Sequence, residues 1–180
     1  IYADLHSLFL GIGPDGLRVP RPLEHWPEWL RCFDIVQVNE EELMLLAGAW
    51  QGDPWRFAAA AVGDDLRLLL VTLGARGAAY VAAPAFRPDP LSWHAGGLLR
   101  PALVGTRGPV RSERVATLHA PREGDPTGCG DVWGATCAIH LFSGAALEDA
   151  MRAANRAAAR NVEHHGAGGL HLHLSGRLGP

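Results

Sequence analysis

The stretch Asp34–Ala49, "DIVQVNEEELMLLAGA", changes its periodicity at a single residue. Up to Val38 it is a short apolar, β-branched run of the kind that forms a buried strand. Asn39 stops that run. Glu40, Glu41 and Glu42 then open a helical segment, with negative charge where the helix dipole favours it. A strand that runs directly into a helix is the building unit of an α/β protein.

The same grammar continues on both sides. Upstream, "IYADL" reads as a short strand ending at Asp4, followed by a Gly/Pro-rich loop through Pro22. "LEHWPEWLRCF" reads as a helix whose start is set by Pro27. Downstream, "PWRFAAAAVG" opens with Pro54 and closes at Gly63, a second helix signal. "LRLLLVTLG" (66–74) is the strongest buried strand, and "GARG" (74–77) is a tight turn into "AAYVA". Residues 84–112 are rich in Pro, Gly and Arg and read as irregular, with "LLRPALV" (98–104) as an edge strand. "RVATLHA" (114–120) alternates as a strand does. Two helices follow, from Gly130 to about Phe142 and from Ala146 to about His164. Strands alternating with helices predict an α/β layered fold with a largely parallel sheet, whose ligands bind beyond the carboxyl ends of the strands.

Composition narrows the function classes. The 180 residues favour one domain, given the usual ~100–200 residues per domain. Hydrophobic content of 48% with 19% charged residues is that of an ordinary globular chain. A net charge of −3 gives no nucleic-acid footprint, and no apolar run is long enough to span a bilayer. Cys32, Cys129 and Cys137 are an odd number at scattered spacings, which reads as a reducing, cytoplasmic compartment. All 16 basic residues are Arg. The absence of Lys removes the lysine-containing phosphate loop and every lysine nucleophile or base from this segment.

The chemistry concentrates in "DPTGCGDVWGATCAIHLF", Asp125–Phe142. A helix start has unpartnered N–H groups and favours an anion. Gly128 and Gly130 let the backbone bend and let that anion approach. Asp131 is an odd neighbour for an anion unless it takes a proton, so the pattern suits an alcohol that loses a proton while attacking a phosphate. As a plain alternative, Asp131 only stabilises the helix dipole. Cys129 also fits a reactive thiol lowered by the helix start, although no His is adjacent. Asn39 followed by Glu42 fits a capping box. Asn155 sits mid-helix, where Asn has poor propensity, and reads either as functional or as solvent-facing. Asp4 and His6 lie at a strand's carboxyl end, near a substrate position or as a loop cap. His164, His165, His171 and His173 lack a Cys or acid to complete a ligand set and read as a polar tail, with 170–180 as the tail proper.

Four segments together resemble the ribokinase-like (PfkB) family of carbohydrate kinases. "VNEEE" looks like its N-x-x-E motif, "VTLGARGA" like its strand-to-turn nucleotide segment, "DPTGCGD" like its D-T-x-G-A-G-D signature, and "AANRAAARNVEHHGA" like its closing helix. Order and spacing agree over roughly Ile35 to Ala167. Pro126 stands where the family usually has Thr, and Cys129 where it usually has Ala.

The resemblance implies a three-layer ribokinase-like fold and ATP-dependent transfer of a phosphoryl group to a hydroxyl of a sugar or sugar-like substrate. It implies Asp131 as catalytic base and the amides of Gly128, Cys129 and Gly130 as an anion hole. Asn39 and Glu42 would hold Mg²⁺ through water. Thr72, Gly74, Arg76 and Gly77 would border the nucleotide, with Asn155 against adenine or ribose. Asp125, with carbonyls near Thr127, Asn161, His164 and Gly166, matches loops that hold a monovalent cation such as K⁺. The family's earlier half, with the glycine-rich sugar motif and the β-lid through which such kinases pair as homodimers, is expected to lie outside these residues. On that expectation the 180 residues are the C-terminal portion of one kinase domain and are inert alone. Two alternatives stand beside this reading: a non-catalytic nucleotide-binding module, and a kinase of a hydroxymethyl heterocycle.

Overall fold

The computed structural model describes residues 1–50, 52–89, 91, 108–118, 124–164 and 169–176. These fall into two compact units.

The first unit holds most of a five-stranded sheet in the order β1-β4-β5-β6-β7. Its strands are β1 (Tyr2–Asp4), β4 (Ile35–Asn39), β5 (Leu68–Thr72), β6 (Ala78–Ala82) and β7 (Arg111–Val115). β1, β4 and β5 run parallel, with Ala3 opposite Val36, Ile35 opposite Leu68 and Asn39 opposite Thr72. Ile35, Val36, Leu68, Leu69, Leu70 and Val71 are completely buried. A central parallel strand is covered on both faces, so these strands are continuous apolar runs with no polar alternation. Each such side chain gains about 1.5–3 kcal/mol from leaving water. β6 returns beside β5 in the opposite sense: Leu73 N–H donates to the Gly77 carbonyl, and Ala83 N–H to that of Arg67. The sheet is therefore mostly parallel with an antiparallel edge.

α1 (Trp26–Leu30), α2 (Glu40–Trp50) and α3 (Pro54–Ala61) belong to this unit. α2 follows β4 without a gap, as the change of periodicity at Asn39 requires. α3 is started by Asp53, whose carboxylate accepts the N–H groups of Trp55 and Arg56 at 3.0 and 2.9 Å, with Pro54 in the first turn. Phe57 packs edge-on to Trp26 and Trp50, at centroid distances of 5.0 and 6.0 Å.

Residues 5–22 are more ordered than a Gly/Pro-rich loop. A 3₁₀ turn (His6–Phe9) leads into a small antiparallel hairpin of β2 (Leu10–Ile12) and β3 (Arg18–Pro20). The turn between them, "GPDG", places Gly16 at φ 78°, a conformation glycine adopts without strain. The strand expected over 114–120 instead ends at Val115 and starts at Arg111, while 119 and 120 lie outside the described residues. The edge strand expected over 98–104 also falls outside them.

The second unit contains α4 (Cys129–Phe142), α5 (Leu147–Asn161), α6 (Leu170–Leu174) and the turn at 73–78. α4 and α5 form an antiparallel hairpin. α5 buries Leu147, Ala150, Met151, Ala154, Asn155 and Asn161, a stripe at helical spacing. The tail expected from residue 170 is helical through Leu174. There His173 is buried: its Nε2 lies 2.8 Å from the Arg160 carbonyl, and Arg160 Nη2 donates to the His173 carbonyl at 2.6 Å.

Candidate functional site

In the first unit, the carboxyl ends of β1, β4 and β5 bring a polar cluster together. Asn39 and Glu42 form a reciprocal capping box. Glu42 N–H donates to Asn39 Oδ1 at 2.9 Å, and Asn39 N–H donates to Glu42 Oε2 at 2.7 Å. Asn39 Nδ2 adds a bond to Oε1 at 3.0 Å. His6 Nδ1 meets the same Oε1 at 2.6 Å, which requires the ring proton on Nδ1. Glu42 is 4% exposed, and its carboxylate is surrounded by donors. Thr72 lies half-buried opposite Asn39 on the next strand.

His6 joins this corner through Asp4, whose Oδ1 accepts the His6 N–H at 2.9 Å. The other Asp4 oxygen accepts Gln37 Nε2 at 2.8 Å, and Tyr2 donates its hydroxyl to Gln37 Oε1 at 2.6 Å. The loop-cap reading of Asp4 is thus satisfied, and His6 reaches the acid of the N-x-x-E pattern. Gln37 was not singled out in the sequence; one polar residue inside an apolar strand was the available signal.

In the second unit, the turn before α4 bends at Gly128 as expected, while Gly130 lies within the helix itself. Gly128 sits at φ 78° as the residue before the helix. Asp125 Oδ1 accepts the Thr127 N–H at 2.9 Å, and the Cys129 N–H donates to the Pro126 carbonyl at 3.0 Å. That second bond takes one of the three amides expected in an anion hole. Cys129 is half-buried, its thiol 3.5 Å from the Ala158 carbonyl. Asp131 is exposed in the first turn of α4 and has no hydrogen-bond or ion-pair partner among the described residues. Here an acid near a helix start does not fold back to cap it.

The GARG segment is the expected tight turn, joining β5 to β6. Gly74 and Gly77 have φ of 59° and 94°. A Cβ on Gly77 would stand 2.3 Å from the Val115 carbonyl and 2.8 Å from Thr117 N, so glycine is required for a close backbone approach. Arg76 is exposed.

Asn155 is 7% exposed, which removes the solvent-facing alternative. Its Oδ1 accepts Trp133 Nε1–H at 2.8 Å, and its Nδ2 donates to the Val115 carbonyl at 3.0 Å. The amide therefore joins α5, α4 and the end of β7. His164 and His173 stack with centroids 5.0 Å apart. His165 and Gly166 lie outside the described residues. Among the described residues, no three His, Cys, Asp or Glu side chains group as a metal site, and no helix is long and apolar enough to cross a membrane.

No protein-family model and no curated protein matches the chain. Solved structures do. Ribokinase from Thermotoga maritima matches with a TM-score of 0.57 and 18% identity, over 87% of this chain and 46% of that one. Adenosine kinase from Sinorhizobium meliloti matches at 0.54 and 23%, over 77% and 35%. A Burkholderia thailandensis nucleoside kinase solved with inosine matches at 0.51 and 21%, over 76% and 36%. The chain has the ribokinase-like fold, and it spans between a third and a half of the length of these structures.

Proposed function

We propose that the protein carrying this chain is a kinase that transfers the γ-phosphoryl group of ATP to a hydroxyl of a sugar or nucleoside-like small molecule. The observation that carries this reading is Asp131, an exposed acid without a partner among the described residues, three positions after a left-handed glycine. An acid serving only the helix dipole needs no such turn before it. In the proposed reaction the acceptor oxygen bonds to the γ-phosphorus as the bond to the ADP oxygen breaks, and the hydroxyl proton passes to the Asp131 carboxylate. A positioned base of this kind contributes about 10²–10⁴-fold. The N–H groups at Gly128 and Gly130 would meet charge on the transferred group. The fold is that of proteins described as ribokinase, adenosine kinase and nucleoside kinase, which supports the substrate class.

Thr72, Gly74, Arg76, Gly77 and Asn155 remain the proposed nucleotide contacts. Asn155 has its amide oxygen and one N–H engaged, so its part would be to shape the base site more than to read the base. Mg²⁺ would neutralise charge on the ATP phosphates. Glu42 Oε1 already meets two donors and Oε2 one, so Asn39 and Glu42 fit the metal only through one of its waters. The K⁺ set fits less well: the Thr127 carbonyl accepts Asn161 Nδ2 at 3.0 Å, and the Asn161 carbonyl accepts the His164 N–H at 3.0 Å. The test is ATP consumption by the full-length protein across a panel of sugars and nucleosides. Phosphorylated acceptor formed in step with ADP supports the reading; ATP binding with no transfer to any acceptor contradicts it.

A further inference from the structure

Asn161, the last residue of α5, has a side chain with no part in the chemistry above, yet it is 3% exposed. Its Nδ2 donates to the Thr127 carbonyl at 3.0 Å and lies 3.4 Å from Cys129 Sγ. The next residue, Val162, accepts the Asp125 N–H at 3.0 Å. Gly124 runs so close that a Cβ there would stand 2.0 Å from the Val162 carbonyl. Positions 124, 125, 127 and 129 of the turn are thus tied to two successive residues at the end of one helix.

The Thr127 carbonyl and the Gly128 N–H belong to the same planar trans peptide, so they point in opposite directions. Gly128, at φ 78°, places little restraint of its own on how that plane is turned. A donor fixed on the Thr127 oxygen therefore fixes where the Gly128 N–H aims. Only the NH₂ end of the Asn161 amide can do this, because an oxygen there would face another oxygen.

We propose that Asn161 is a positioning residue that aims the Gly128 N–H by clamping the Thr127 carbonyl. The inference rests on the kinase reading for its effect on rate, but not for the clamp itself. Loss of the clamp leaves the fold and the glycine amide in place but lets the peptide plane rotate, and misplacement on the order of 1 Å costs about 10²-fold in a positioned site.

The test compares Asn161→Leu and Asn161→Asp with wild type in the full-length protein. Two quantities are read: amide hydrogen exchange over 125–131, and kcat and KM for ATP per folded molecule. Ala150→Gly, a buried position on the same helix away from the turn, controls for plain destabilisation. Both Asn161 variants should exchange faster across 125–131 and lose roughly 10- to 100-fold in kcat/KM. Asp should be the worse of the two, because it sets a carboxylate against a carbonyl. Ala150→Gly should melt earlier with unchanged KM. Folded Asn161 variants with wild-type exchange and wild-type kcat/KM would overturn the proposal. If wild type itself transfers no phosphate, the kinase reading falls, and the exchange measurement decides the clamp alone.

Discussion

Two helix starts in this chain carry an acid at nearly the same place, and the fold treats them oppositely. At the start of α2, Glu42 is buried, and Asn39 and His6 place three donors on its carboxylate. At the start of α4, Asp131 is exposed and unbonded among the described residues, behind a turn held by other groups. A carboxylate whose lone pairs are met by its own fold stabilises structure. One left open by a fold that has ordered everything around it is available for chemistry. Local sequence does not separate the two, since both are acids within the first turn of a helix.

The contrast can be sharpened by disturbing groups the fold has already engaged, which should cost stability first. The largest loss is expected at Asn155. Asn155→Leu strips the buried Trp133 indole N–H and the Val115 carbonyl of their partner, at about 1–3 kcal/mol for each group left unsatisfied. A fall in thermal stability with near-normal Trp133 burial would check it. An unchanged Tm would mean that these buried groups find other partners.

Next comes the α2 corner. Glu42→Ala should cost about 1–3 kcal/mol by undoing the capping box in a buried setting. That corresponds to roughly 2–4 °C per kcal/mol in a domain of this size. Glu42→Gln keeps one acceptor and should cost less. A steep rise in the Mg²⁺ needed for half-maximal rate, at unchanged Tm, would make the hold on the metal's water the main task of the carboxylate and end the contrast.

The smallest effect concerns α4 itself, open at its first turn and closed two turns on. Burial pushes the Cys137 thiol up to about 12. Its folded pKa lies above the unfolded one, so the stability tied to its neutral form is intact below about pH 9 and is lost as pH rises toward 12. Cys137→Ala should remove that part of the alkaline slope in ΔG. A thiol reagent should label exposed Cys32 and half-buried Cys129 while Cys137 reacts only on unfolding. Early labelling of Cys137 would mean that α4 opens as a whole.

Much of this was legible in the sequence where periodicity was strong. The β4–α2 and β5 segments have one solution because their apolar runs fit only central strands, β4 running on into α2 and β5 into the GARG turn. The β2–β3 hairpin is hidden in the sequence, because three-residue strands carry too little pattern; the Pro-Asp-Gly turn between them is the usable sign. α6 resembles a tail in sequence because alternating His and Leu suggest no helix, and its contacts run through Arg160, thirteen residues back from His173. Asn161 falls inside the helix expected through about His164, where the resemblance marks only its carbonyl, for the K⁺ set. Its partner is Thr127, 34 residues away, and only the closed α4–α5 hairpin brings the two together.

The most direct test of the central claim is the turnover of Asp131→Asn in the full-length protein, measured beside its melting temperature. Removing the base should lower kcat by at least about 10²-fold, or roughly 2.7 kcal/mol of barrier. ATP affinity and Tm should hold, since the carboxylate bonds to nothing described in the fold. Near-normal turnover with a lowered Tm would contradict the account and make Asp131 one more acid serving its helix.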